Sequence, residues 1–303
     1  MKTLVLGAGG FLGKNLCLYL NKMGVNVKAF DLSEMHELRG IEGIECIQGD
    51  FLMLDTMPEL FDDVDTVYHL ICTSIPKEGT KQIPKELELN LIPLANLLEI
   101  LVNRNIEHFV YVSSAGTIYG NSDTVNSCEQ KAAPVCSYGV LKEASESYIN
   151  FYNRVYGKKF RIARLSNPYG LGQGEYKMQG IVPIFINRLL EGKPITVFGD
   201  GENIRDYIYI DDAMEALYKL GSYVGNTSVF NIGSGEGYSI NEIINMIEHV
   251  SDKKFLQIDY VSKRDCDVER NELYVLDTKE QLNWEPKTCL EEGIKLTYDN
   301  IVK

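Results

Sequence analysis

The sequence predicts an α/β fold: a doubly wound parallel sheet with helices on both faces, followed by a smaller, interleaved C-terminal α/β region. Two observations carry this. Short apolar runs alternate with amphipathic stretches at helical spacing through the first half, and a glycine-rich turn joins the first run to the first amphipathic stretch. Composition sets the bounds. The 303 residues are 45% hydrophobic and 24% charged, enough for one large domain or two interlocked ones. That apolar content excludes disorder, and no apolar run approaches the ~18 residues of a membrane span. The formal net charge is −13 with no offsetting basic stripe, which argues against a nucleic-acid partner.

Taken in order, residues 2–6 read as a buried strand and 11–23 as a helix, with apolar residues at 11, 12, 16, 18 and 20. Strands follow at 26–30, 44–47 and 66–70. The stretch 86–102 has helical spacing but contains Pro93, which removes a hydrogen bond and clashes with the preceding turn, so a kink or a restart at Pro93 is expected. A strand at 109–112, a long helix at 137–156 and a strand at 161–165 complete the alternation. Residues 166–206 are loop-rich, holding Pro168, Pro183, Pro194 and seven glycines. Beyond them, 207–210 and 229–232 read as strands, and 239–250 as a helix opened by a capping box of Ser239 and Glu242. The N-terminal apolar stretch is broken by glycines and followed by no small-residue cleavage site, so it reads as structure rather than a secretion signal. Seven cysteines, an odd number without C-x-x-C spacing, suit free thiols in a reducing compartment, and a cytoplasmic location is expected. They form no metal-ligand pattern with the four histidines, so no metal is expected.

The turn itself reads Gly7-Ala8-Gly9-Gly10-Phe11-Leu12-Gly13, with Gly7, Gly10 and Gly13 as G-x-x-G-x-x-G. Between a strand and a helix, such a turn brings backbone N–H groups and the helix N-terminus against a pyrophosphate. Asp31 ends the next strand, where a carboxylate accepts from ribose hydroxyls and repels a 2′-phosphate, favouring NAD over NADP. Further on, Tyr138 and Lys142 stand four apart at the start of the long helix and so share a face. An ammonium beside a phenol is expected to lower its pKa and make Tyr138 a usable base for a sugar hydroxyl.

On these residues the chain resembles the extended short-chain dehydrogenase/reductase superfamily, in its nucleotide-sugar epimerase/dehydratase branch. Further matches are Gly49-Asp50-Phe51, His69-Leu70, Asn90, the run Ser113-Ser114-Ala115-Gly116-Thr117-Ile118-Tyr119-Gly120 and the run Arg164-Leu165-Ser166-Asn167-Pro168-Tyr169-Gly170. The run from Val197 to Gly201, Arg205-Asp206-Tyr207-Ile208 and the run from Leu282 to Pro286 extend the resemblance nearly end to end. It implies a Rossmann-type domain binding NAD over 1–166, completed by about 207–235, with 167–206 and 236–303 binding the nucleotide sugar. It also implies that Asp50 and Phe51 hold the adenine end and that Leu70, Ile71, Cys72 and Asn90 line the dinucleotide groove, with Ser113, Ser166 and Pro168 also on the cofactor. Ser114 and Asn167 would meet the substrate. Ile181 and Val182 would line a uracil pocket with Val197 and Phe198 beside them, Arg205 and Arg264 would clamp the diphosphate, and Asp267 would reach the nucleotide ribose. Arginine suits this role through forked, charge-assisted bonds to phosphate, the alternative being ion pairs of Arg205 with Asp206 or Asp211, and of Arg264 with Asp265 or Asp267. His69 reads as a packing residue and Trp284 as core.

Two departures stand out. Ala115 replaces a family Ser or Thr that passes the proton, so Thr117, or else Ser114, is expected to substitute, or the substrate hydroxyl to meet Tyr138 directly; and Leu165 stands where a Tyr is common. Relatives that eliminate water carry a Glu at the position of Thr117, and neither Gly116 nor Thr117 can move a proton there, which disfavours elimination. The resemblance therefore implies an NAD-dependent UDP-hexose 4-epimerase working through a 4-keto sugar, with Tyr138 as base and Lys142 as its partner, and a homodimer formed through the helices holding Asn90 and Tyr138. A 4-keto-sugar reductase or dehydrogenase is the second reading, and a non-catalytic dinucleotide-binding regulator the third. The sugar and the base stay open.

Overall fold

A computed structural model describes residues 2–74, 82–104, 106–173, 180–264 and 266–303. The first half runs β1 (Lys2–Leu6), α1 (Phe11–Lys22), β2 (Asn26–Asp31), β3 (Ile44–Gln48), β4 (Thr66–His69), α2 (Ile83–Glu86), α3 (Ile92–Asn103), β5 (His108–Ser114), α4 (Ala115–Ile118), α5 (Ser137–Tyr156) and β6 (Arg161–Leu165). The second runs β7 (Asn167–Tyr169), α6 (Ile181–Leu190), β8 (Ile195–Phe198), β9 (Ile204–Tyr209), α7 (Ile210–Gly221), β10 (Val229–Ile232), β11 (Gly237–Ser239), α8 (Ile240–Ser251), β12 (Ile258–Val261), β13 (Arg270–Asn271), α9 (Leu276–Leu282) and α10 (Leu290–Val302).

Seven strands form one sheet in the order β10-β6-β5-β4-β1-β2-β3, every pairing parallel. Alternation along β1 explains how it is covered. Leu4 and Leu6 pack with Leu94, Leu97 and Leu98 of α3 and Ile149 of α5. Val5 turns to the other face, with Leu16 and Leu20 of α1 and Ala213 and Leu217 of α7. The order reverses between β1 and β4, opening a crevice at their carboxyl ends where such sheets bind ligands. Among the described residues no helix is long and apolar enough to cross a membrane.

The chain neither breaks nor restarts at Pro93. Leu87–Leu91 widens into a π-helical turn that runs into α3 with Leu91 and Ile92 both in helical conformation and the Ile92 N–H bonded to the Leu87 carbonyl, and this wider turn accommodates the residue that lacks an N–H. The predicted strand 207–210 is displaced: Ile210 opens α7, and Tyr207–Tyr209 belong to β9 of a second sheet, ordered β11-β9-β13 with β7 also on β9. The chain therefore rejoins the large sheet through α7 and β10, after 209 rather than from 207. β8 and β12 form a separate parallel pair. The Ser239–Glu242 capping box is present in both directions, and Trp284 is buried, its Nε1–H donating to the Asp212 carbonyl at 3.1 Å.

Candidate active site

At the β1–α1 turn the backbone leaves no room for a side chain at Gly7 or Gly13. Gly7 has φ +91°, and a Cβ on Gly13 would lie 1.9 Å from the Gly7 carbonyl oxygen. At Gly9, absent from the predicted glycine set, a Cβ would meet Ser33 Oγ at 2.4 Å and the Asp31 carboxylate at 2.9 Å, side-chain ends that would have to move aside. Gly10 would tolerate one. The Gly9 N–H donates to Asp31 Oδ2 at 3.0 Å, and Ser33 donates twice to Oδ1, so the carboxylate is fixed beside the turn. Gly10 caps α1 without a side chain, leaving the first-turn N–H groups of Phe11 and Leu12 without a capping partner from Gly10. This cradle fits a dinucleotide pyrophosphate. Across the crevice, the Leu70 N–H donates to the Leu6 carbonyl at 2.9 Å, and the Ile71 main chain comes within 3.0 Å of a Cβ built on Gly7.

Other residues expected on the groove hold the fold around it. Asp50 caps the 3₁₀ turn Phe51–Thr56. Phe51 packs edge-on to His69, which is buried, unpaired at both ring nitrogens, and held neutral because burial depresses its pKa to about 3. The Asn90 side chain is consumed within the chain, accepting from the Thr73 N–H and donating to Thr73 Oγ1, Ser74 Oγ and the Glu86 carbonyl. It therefore pins the loop after β4. Cys72 Sγ lies 3.6 Å from the Ser74 carbonyl on that loop.

β5 and α5 bring the reacting groups together. Lys142 is buried, donates to the Val112 carbonyl at 2.9 Å, and lies 5.6 Å from the Tyr138 ring centroid and 4.7 Å from that of Tyr111. The predicted lowering of the Tyr138 pKa is corrected here. In the chain by itself burial dominates and pushes the phenol up; the Lys142 ammonium is the largest opposing influence. Lys142 itself is shifted up, because Tyr111 and Tyr138 outweigh its desolvation. Ser114 lies near enough to the Tyr138 phenol to favour its ionised form, whereas Thr117 Oγ1 is buried without a hydrogen-bond partner. The sequence puts Thr117 ahead of Ser114, but the placement of the two hydroxyls depends on how β5 ends and α4 begins.

Beneath this pair runs a buried polar network. Ser113 Oγ donates to Glu146 Oε1 at 2.6 Å, and Arg164 donates to the same carboxylate through Nε at 3.1 Å and Nη2 at 2.7 Å. Arg164 Nη1 reaches Tyr119 Oη at 3.0 Å, which donates to Asn231 Oδ1 at 2.6 Å. The Ser113 hydroxyl proton is thus engaged in this network. Ser166 is buried, its N–H bonded to the Ile232 carbonyl at 2.9 Å, and Pro168 lies in β7.

The second cluster is a cavity of about 380 Å³ at the small sheet. Ile181, Val197, Phe198, Arg205, Arg264 and Asp267 all line it, as expected. Val182 does not: the second residue of α6 turns inward and is fully buried in the core. The ion-pair alternatives for Arg205 fail. Asp206 is fully buried, accepting from Ser234 and from the Gly235 N–H, while burial pushes its pKa up to about 6. Arg205 instead donates to its neighbouring Ile204 carbonyl and faces Asp267, its charge disfavoured by burial. Arg264 lies flat on Phe198; its possible partner Asp265 is outside the described residues. Tyr207, Asn203 and Arg188 complete the walls and were not anticipated. For Tyr207, its alternation with Arg205 along β9 is a usable signal. Asn167 connects the two clusters, its side-chain amide donating to the Asp206 carbonyl at 2.8 Å.

A glycine cradle with a fixed acid beside it, and a buried Tyr–Lys pair across the crevice, meet here on one sheet. The model of the NAD dependent epimerase/dehydratase family matches residues 3–233. The chain belongs to that family. NAD is the family's cofactor, and the cradle described above suits it. The chain is 32% identical to an Escherichia coli dTDP-4-dehydro-6-deoxyglucose reductase, covering 99% of this chain and 96% of that one. It is 28% identical to a Mycolicibacterium smegmatis UDP-glucose 4-epimerase, covering 99% and 98%. Among solved structures, UDP-glucose 4-epimerase of Thermotoga maritima with UDP-glucose superimposes at TM-score 0.93, with 30% identity over 100% of this chain and 99% of that chain. UDP-glucuronic acid 4-epimerase of Bacillus cereus with UDP-glucuronic acid and NAD gives 0.91, with 27% identity and the same coverage.

Proposed function

We propose that the protein is an NAD-dependent UDP-hexose 4-epimerase acting through a transient 4-keto sugar. The observation that carries this is the Tyr138–Lys142 pair across the crevice from the dinucleotide turn, with Gly116 and Thr117 where elimination would need a carboxylate. Gly7, Gly13, the α1 N-terminus and Asp31 would hold NAD, which when bound would supply the hydride acceptor and donor for the reaction. As the phenolate, which Lys142 and the positive nicotinamide of bound NAD would favour against the upward push of burial, Tyr138 would take the C4 hydroxyl proton, directly or through Ser114, and return it. Lys142 stabilises the phenolate, and burial keeps water from competing. Thr117 lines the same loop as a contact for the sugar rather than as the proton carrier.

Arg205 and Arg264 hold the diphosphate, Asp267 reaches the nucleotide ribose, and Ile181 and Val197 enclose the base. The substrate is thus anchored at its nucleotide end, leaving the hexose free to present either face to Tyr138. A second copy is proposed to pack on α3 and α5. Ile92 on α3 and Val140, Tyr148, Phe151 and Val155 on α5 are exposed, and the α5 residues recur along one helical stripe.

The test is incubation of the purified protein with UDP-galactose and no added cofactor. Appearance of UDP-glucose supports the proposal. No conversion of UDP-galactose, together with stoichiometric consumption of added NADH on a 4-keto nucleotide sugar, selects the reductase reading, the activity named for the Escherichia coli relative.

A further inference from the structure

We infer that Phe198 is a positioning residue whose ring carries the Arg264 guanidinium in the orientation that receives the diphosphate. This rests on the nucleotide-sugar reading above and departs from a role for Phe198 against the base. The Arg264 guanidinium carbon sits 3.5 Å from the Phe198 ring centroid, the separation of a stacked plane rather than a passing edge. Both side chains line the same cavity. The backbone explains why they meet. β8 and β12 are parallel with Val261 opposite Phe198, and the Gly199 N–H donates to the Val261 carbonyl at 2.8 Å. Arg264 follows three residues later, where the Asp267 N–H bonds back to its carbonyl at 3.2 Å and closes a turn. One strand pair therefore delivers the ring and the turn delivers the cation.

The chemistry supports the assignment. Arginine carries several rotatable bonds, and an unsupported guanidinium on a loop loses that freedom when it binds an anion. An aromatic face restricts it beforehand and leaves the edge N–H groups, which bind phosphate oxygens, pointing outward. Arg205 has another support, its bond to the Ile204 carbonyl within β9. The two arginines flank a single carboxylate, Asp267, so the cavity has surplus positive charge for a diphosphate.

Binding of UDP and of uridine to the full-length protein separates the two roles of the ring, measured by calorimetry, with dTDP and thymidine as a parallel pair. Phe198→Leu should weaken the diphosphate about 5- to 10-fold and leave the nucleoside within twofold. Phe198→Tyr should restore binding, and Phe198→Leu added to Arg264→Ala should cost nothing further. Equal weakening of nucleotide and nucleoside would overturn the inference, because the ring would then be meeting the base. So would an unchanged diphosphate affinity, or an undiminished loss in the Arg264→Ala background. If the unaltered protein bound neither diphosphate, the nucleotide-sugar reading itself would fall, a different result from any of these.

Discussion

Replacing Glu146 by Gln should unseat the support beneath the active site. The carboxylate is almost fully buried and takes three charge-assisted contacts from Arg164 and one from the Ser113 hydroxyl. A neutral amide keeps the shape but leaves the guanidinium buried without its counter-charge and turns N–H groups toward N–H groups. Removing one member of a buried pair costs about 3–5 kcal/mol. With unfolding entropy near 2.1 cal/mol/K per residue, a 303-residue chain loses about 5–8 °C in Tm for that change. Thermal unfolding followed by circular dichroism at neutral pH measures it. Because Glu146 ties α5, which carries Tyr138, to the end of β5, which carries Ser114, turnover should fall as well. The Glu146→Leu/Arg164→Leu pair should recover at least half of the lost Tm, since no isolated charge is left. A drop below 2 °C in Glu146→Gln would refute the reasoning.

Three further outcomes follow from the same geometry. Ser114→Ala should lower turnover at least tenfold while Thr117→Val stays within threefold, and steady-state kinetics of the two variants decides between the hydroxyls. Gly13→Ala should release NAD from the purified protein, because its Cβ would sit 1.9 Å from the Gly7 oxygen; absorbance of the deproteinised supernatant reports the loss. Asp206 titrates near 6 in the folded chain against about 3.8 unfolded, so the folded form holds the extra proton between these values. Its contribution to stability is therefore present below about pH 4 and lost as pH rises through 6. Carboxyl-carbon NMR of labelled protein should place its midpoint near 6; a midpoint near 4 would show that burial is offset by its hydrogen bonds.

Much of this architecture was legible from periodicity. β1, α5, β6 and β10 fall where the apolar pattern puts them, and Ser239 with Glu242 marks a helix start through chemistry confined to four residues. What was not legible depends on distant partners. Ile210 has strand-like neighbours, but the direction of the chain at β9 makes it the first residue of a helix. Val182 and Ile181 are equally apolar, and only the rotation of α6 decides which faces the cavity. Asn90 and Ser113 stand at family positions, and their side chains bond Thr73, Ser74, Glu86 and Glu146. The Tyr138 pKa was argued from one neighbour at helical spacing, whereas burial by the surrounding fold outweighs that neighbour.

The central claim is that the Tyr138 phenol exchanges the C4 proton of a nucleotide hexose beside a cofactor that stays in place. Interconversion of UDP-galactose and UDP-glucose by Tyr138→Phe, with NAD per chain determined on the same preparation, measures it. The account predicts a turnover loss of about 10²- to 10⁴-fold with NAD content unchanged. Interconversion within tenfold of the unaltered protein at full NAD occupancy would contradict it.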